Sequence, residues 1–140
     1  MPAAASLDTA LMSKKTVVRT ETAPAPFQGA PYSQAIRAGG LVFVSGQLAL
    51  RPDHAEIAGE TIQEQTEQVF ANLRAILEEA GSGLDRLVKT TVYLADLGDF
   101  AGMNEVYARH VGHKPPARAT IEVSALPSGA KVEIEAIATV

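Results

Sequence analysis

Residues 115–140 read PPARATIEVSALPSGAKVEIEAIATV, and the fold turns on how this stretch pairs. Two runs, 117–123 and 131–139, alternate with the two-residue period of a β-strand, and a segment rich in Ser, Pro and Gly joins them. Consecutive strands connected in this way predict an antiparallel hairpin. Parity puts Arg118, Thr120 and Glu122 on one face of the first run, and Ala117, Ala119, Ile121 and Val123 on the other. In the second run Glu133, Glu135 and Ile137 oppose Val132, Ile134, Ala136 and Ala138. The apolar sets are expected against helices, which leaves Arg118, Thr120, Glu133 and Glu135 together on the far face as cross-strand neighbours. Arginine and glutamate are seldom buried without a partner or a use. Periodicity alone favours the plainer account, an Arg–Glu pair that only stabilises the hairpin. The alternative is a site, in which a guanidinium on a rigid strand offers a planar fork to a small carboxylate or phosphate.

Upstream, residues 61–80 carry the clearest helical pattern. Thr61 and Glu64 fit a capping box, Gly81 stands where a C-terminal glycine cap belongs, and Val69, Phe70, Leu73, Ile76 and Leu77 recur at helical spacing. A second helix is expected over 97–111, with Asp96 as its N-cap. Residues 86–94 alternate as a strand, Gly39-Gly40 marks a hairpin turn between 34–37 and 41–47, and 16–20 form a short first strand. The predicted order is β-β-β-α-β-α-β-β. It makes a two-layer α+β domain, a mixed sheet with two helices packed on one face. The uncovered face is expected to carry Leu41 or Val42, Thr120 and Ile137, and to serve as an oligomer interface with the site near or within it.

Composition narrows the classes. A chain of 140 residues with 46% apolar and 20% charged residues is long enough for one domain with a sizeable core. The absence of cysteine excludes disulfides, thiolate metal sites and cysteine nucleophiles, and is compatible with the reducing cytoplasm expected here. A net charge of −4 with scattered Lys and Arg argues against nucleic acid as a partner. No apolar run reaches the 18 residues or so of a membrane span, so no membrane partner is expected. Residues 1–15 read as a disordered N-terminal tail and 16–140 as the single domain.

Four motifs in register sharpen the picture: VSGQ at 44–47, EEAGSGLDRLVKTTVYLADLGDFAGMNEVY over 78–107, PPAR at 115–118 and KVEIEAIA at 131–138. Together they resemble the RidA family, also called YjgF/YER057c/UK114, and the likeness runs from about residue 24 to 140. The resemblance implies a chorismate-mutase-like α+β fold, a homotrimer with sites in the clefts between subunits, and no metal or organic cofactor. It also implies hydrolysis of reactive enamines and imines of the 2-aminoacrylate type to 2-keto acids and ammonia. Carried over by position, Arg118 would grip the substrate carboxylate and Glu133 would position or activate water. Tyr32 would close the pocket from a neighbouring subunit, Ser45 and Gly46 would let substrate approach the backbone, and Asn104 would belong to the same site. Thr120 stands where many members have cysteine, and its backbone N–H is still available to a ligand. Loss of cysteine at this position excludes redox behaviour there and leaves the substrate range open.

Other readings stay in view. The same cleft suits a non-catalytic small-carboxylate-binding or regulatory protein, or a pathway-specific deaminase acting on an aminomuconate-like dienamine, with Thr120 and the loop around Phe27 as possible tuners. Endoribonuclease activity, reported for relatives, is disfavoured by the acidic chain without a basic stripe. His110 and His113 lie one helical turn apart without a third ligand and are expected to be solvent-exposed.

Overall fold

The computed structural model describes residues 14–140, so most of the expected N-terminal tail lies outside the described residues. The chain builds strands β1 (Thr16–Val18), β2 (Ala35–Ala38) and β3 (Leu41–Gln47), then helix α1 (Ile62–Glu79) and strand β4 (Leu87–Leu94). Helix α2 (Phe100–Val111) and strands β5 (Ala117–Glu122) and β6 (Val132–Thr139) follow. This is the predicted order of elements. Both ends of α1 form as their residues dictate. Thr61 Oγ1 accepts the Glu64 N–H at 3.1 Å, Glu64 returns the bond to the Thr61 N–H at 3.1 Å, and Gly81 takes φ 84°. Asp96 caps a 3-10 turn, Leu97–Asp99, which runs directly into α2.

Strand pairing departs from the expectation at one decisive point. The order across the six-stranded sheet is β1-β2-β3-β6-β4-β5, so β5 and β6 are not neighbours and form no hairpin. Strand β6 lies antiparallel between β3 and β4, whereas β5 pairs parallel with β4 at the edge. The physical reason lies in the crossover. Strand β4, helix α2 and strand β5 form a βαβ unit, whose helix must pack back on the sheet and so returns the chain parallel. The strand left over, β6, is apolar enough on its helix side to take the central position, and its partners there are already in place.

Register then decides which residues share a face. Thr90, Val92 and Leu94 of β4 stand beside Ala136, Ile134 and Val132 of β6, and beside Arg118, Thr120 and Glu122 of β5. Val92, Leu94, Val132 and Ile134 are fully buried beneath the helices, so Arg118 and Thr120 belong to the helix-covered side. The expectation that Ala117, Ala119 and Ile121 would meet the helices is overturned. They face the open side, where Ile121 is 45% exposed. At the edge of the sheet, β5 lies partly beyond the helical layer, which frees its helix-side positions for polar side chains. Val42 likewise turns inward and Leu41 outward, so the open face carries Val17, Leu41, Phe43, Ile121 and Ile137, without Val42 or Thr120.

The core is the contact between the sheet and the two helices. Phe70, Leu73, Ile76 and Leu77 of α1 and Met103 and Val106 of α2 are completely buried. Each contributes about 1.5–3 kcal/mol through loss of apolar surface to water. Two buried amides tie the irregular segments to this core. Gln34 donates to the carbonyls of Thr20 and Pro24 at 3.0 and 2.8 Å and accepts the Thr20 N–H at 2.7 Å. Asn72 donates to the carbonyls of Leu48 and Leu50 at 3.0 and 2.8 Å. His110 is not free in solvent: its ring stacks on Phe70 at 4.6 Å, and Nε2 lies 3.1 Å from Glu67 Oε1.

Candidate active site

The seven residues singled out in the sequence fall into two groups on opposite faces of the sheet. Arg118, Asn104 and Thr120 make the first, on the helix-covered side at the β5 edge. Asn104 is presented by α2, whose residues Phe100, Asn104 and Tyr107 recur at the spacing of one helical face. Arg118 donates from Nη1 to Asn104 Oδ1 at 2.7 Å, and its guanidinium lies 4.7 Å from the Tyr107 ring centroid and 5.5 Å from that of Phe100. Aromatic faces of this kind attract a cation and hold its plane, so the fork is aimed before any ligand arrives. Tyr107 is fixed in turn by a 2.6 Å hydrogen bond between its hydroxyl and Thr90 Oγ1. Burial pushes the Tyr107 phenol up, against the opposing pull of Thr90 and Arg118. Among the described residues no carboxylate pairs with Arg118, and the buried Thr120 Oγ1 has no hydrogen-bond partner. A guanidinium and an orphaned hydroxyl side by side are what a site for a polar anion requires.

Tyr32, Ser45, Gly46 and Glu133 make the second group, on the open face. They line a cleft of about 360 Å³ together with Phe27, Leu48, Pro127 and Glu135. A β-bulge shapes it: the β3–β6 register shifts between Val44 and Gln47, at Ser45 and Gly46. Ser45 is held by two bonds to the β2 side, Oγ donating to the Ser33 carbonyl at 2.6 Å and N–H to the Gln34 carbonyl at 2.9 Å. Gly46 leaves room for the Glu133 side chain. A Cβ there would collide with the Glu133 carboxylate, with Cδ only 2.9 Å away. Tyr32 is 41% exposed, and its hydroxyl accepts the Phe27 N–H at 2.5 Å, which folds the 26–32 loop over the cleft mouth. Burial, and then the neighbouring charge of Glu135, pushes the Glu133 carboxyl up from its ordinary value.

Arg118 and Glu133 are therefore not cross-strand neighbours, which corrects the expectation from parity. Arg118 stands beside Thr90 on the helix side, while Glu133 stands opposite Tyr93 on the open side. The sequence reading also missed Phe100 and Tyr107, although their spacing from Asn104 on one helix face carried the signal. Tyr93 escaped notice because alternation marks its face without marking its partner.

The fold and these two groups of residues define a two-layer α+β protein with an aromatic-framed arginine at one sheet edge and a separate, acid-lined cleft. A sequence model of the family described as Endoribonuclease L-PSP matches residues 20–140. The chain is 52% identical over 124 residues to a RutC family protein of Pyrococcus abyssi, covering 89% of this chain and 96% of that one. It is 50% identical over 139 residues to the chloroplastic Reactive Intermediate Deaminase A of Arabidopsis thaliana, covering 99% and 73%. Its structure matches the crystal structure of RidA from an Antarctic Psychrobacter with a TM-score of 0.84 at 43% identity, covering 89% and 99%. The chain belongs to this RidA/RutC family. Among the described residues, no helix is long and apolar enough to cross a membrane.

Proposed function

We propose that this protein is a hydrolytic deaminase of small enamine and imine carboxylates of the 2-aminoacrylate type, acting as a homotrimer with its sites between subunits. One observation carries the reading. Arg118 and Thr120 offer unpaired polar groups on one face, and Glu133 lines a cleft on the other. A small substrate can meet both only where the helix-side edge of one copy approaches the open face of a second. The exposed apolar side chains Phe43 and Ile121 on the open face favour such an assembly. The resemblance supplies the count of three.

In this cleft the substrate carboxylate takes the free edge of the Arg118 guanidinium, with Asn104 holding the other edge. The enamine tautomerises to its imine, which places the electrophilic carbon over the second half-site. Glu133, with its proton affinity raised by burial and by Glu135, takes a proton from water as the oxygen adds to the imine carbon. Glu133 passes that proton to the nitrogen to give a carbinolamine, then relays the hydroxyl proton to the amine as the C–N bond breaks, which releases ammonia, leaves the 2-keto acid and returns Glu133 to its carboxylate. Ser45 and Gly46 admit the substrate close to the backbone at the bulge, and Tyr32 with its loop excludes bulk water. The name of the matching family model raises ribonuclease activity as a second reading. A net charge of −4 and an arginine enclosed by two aromatic rings provide no track for a phosphate backbone.

The test is release of ammonia and keto acid from 2-aminoacrylate generated in situ, comparing wild type with Arg118→Ala. Acceleration that disappears in the variant while the oligomer persists is expected. Wild-type protein no faster than buffer would sink the reading.

A further inference from the structure

The open face holds a second carboxylate that the mechanism above does not use as a proton carrier. Glu135 follows Glu133 by two residues on β6, and both line the same cleft. Tyr93 sits on β4 directly opposite Glu133, yet its hydroxyl reaches diagonally to Glu135 and donates to Oε1 at 2.5 Å. A surface tyrosine and glutamate two positions apart have no packing reason to join, since each could be satisfied by water. The bond instead ties Glu135 down beside Glu133. The bond to Glu135 pushes the Tyr93 phenol up to about 12, and burial and the charges of Glu135 and Glu133 add to it. Tyr93 therefore stays a donor throughout the working pH range.

We infer that Tyr93 and Glu135 form a positioning pair that holds a fixed negative charge against Glu133 and so sets the pH at which Glu133 accepts a proton from water. The inference rests on the role given to Glu133 above, and adds to the larger effect of burial a held charge that raises its basicity further. A base is most effective when its proton affinity lies close to the operating pH, and a locked like charge raises it in that direction. Among the described residues, the other charged or titratable groups on this face include Lys131 just before β6, Lys89 on β4, Lys15 and Arg19 flanking β1 and Tyr32 in the loop, while β3 offers Ser45 and Gly46 and β5 offers Ala119 and Ile121. In the proposed assembly Arg118 of a neighbouring copy joins them. Among the described residues, Glu135 is the carboxylate in this cleft that a side-chain hydrogen bond holds beside Glu133.

The decisive experiment follows the side-chain carboxyl carbon of Glu133 by NMR titration in wild type, Glu135→Gln and Tyr93→Phe, with Glu133→Gln identifying the resonance. Both substitutions keep the shape of the side chain. The Glu133 midpoint is expected to fall furthest in Glu135→Gln, where the charge is gone, and less in Tyr93→Phe, where Glu135 is free to swing into solvent. In parallel, the ratio of kcat/KM at pH 5 to that at pH 8 is expected to rise about threefold in Glu135→Gln. A Glu133 midpoint unmoved in Glu135→Gln overturns the inference, and one unmoved in Tyr93→Phe removes Tyr93 from it. If wild-type protein shows no deaminase turnover, the functional reading falls while the carboxyl titration still decides this one.

Discussion

The two half-sites are built to different standards of rigidity. Arg118 is held by a hydrogen bond to the Asn104 amide and by two aromatic faces, one of them a tyrosine itself bonded to a fully buried threonine. Among the described residues, Glu133 has no such frame. It stands in an open cleft beneath a loop, kept clear by the missing side chain of Gly46. The arginine half is thus set before substrate arrives, as expected of a group that fixes orientation. The glutamate half is completed by what approaches it. Under the proposed function, orientation falls to one face of the protomer and proton chemistry to the other, to be joined at an interface between copies.

The sharpest way to break this division is to disable each half in a different chain. Arg118→Ala is expected to lower kcat/KM by about a thousandfold, and Glu133→Gln by a similar factor. Mixing the two inactive proteins under conditions that exchange subunits should restore about a quarter of the clefts, because some pair an intact Arg118 with an intact Glu133. Activity that stays at the level of the separate variants would show that each site lies within one chain. A smaller effect probes the cleft alone. Gly46→Ala forces the Glu133 side chain aside, and kcat/KM should drop roughly ten- to a hundredfold. Thermal stability should change by less than about 1 kcal/mol, because the clash is with the tip of a flexible side chain.

On the arginine side, Tyr107→Phe strips Thr90 of its hydroxyl partner in a buried place, at a cost of about 1–2 kcal/mol in denaturant unfolding. If the frame matters, KM should rise more than kcat falls, since the aromatic face remains and only its anchoring loosens. The smallest effect concerns Glu133 and pH. Its carboxyl is raised in the folded chain, so the folded state favours the protonated form: that stability is fully present below the ordinary carboxylate value and is lost as pH climbs through the raised one. Glu133→Gln should therefore melt slightly higher than wild type at pH 8, at matched oligomeric state. The gap should close as pH falls below the ordinary carboxylate range. A variant that melts lower at pH 8 would mean the glutamate is already compensated by an unseen partner.

Much of this was legible in the residues themselves. Thr61, Glu64 and Gly81 marked both ends of α1, and period-two alternation found the main strands, because these signals are local and each residue acts through its own backbone. Pairing is not local. Parity correctly grouped Arg118 with Thr120, and Glu133 with Glu135, but it says nothing about which strand lies alongside which. The turn-rich segment containing Pro127 and Gly129 looks like a hairpin loop while in fact carrying the chain across to the centre of the sheet. The clue to parallel pairing was a helix between 97 and 111 flanked by strands, which calls for a crossover. Without that step the two charged residues seemed to share a face, and their separation onto opposite faces of the sheet was hidden.

The placement of β6 also bears on how the protein is made. This strand is the last of the six to leave the ribosome, yet it is the one that joins β1-β2-β3 to β4-β5. Until it emerges, the nascent chain carries two incomplete sheets whose inner edges, β3 and β4, lack their shared partner. Unpaired edges of this kind recruit strands from other chains. The sheet therefore closes only once residues 132–139 are in place, and a chain cut short before residue 132 is expected to leave two unpaired edges in place of a smaller working protein.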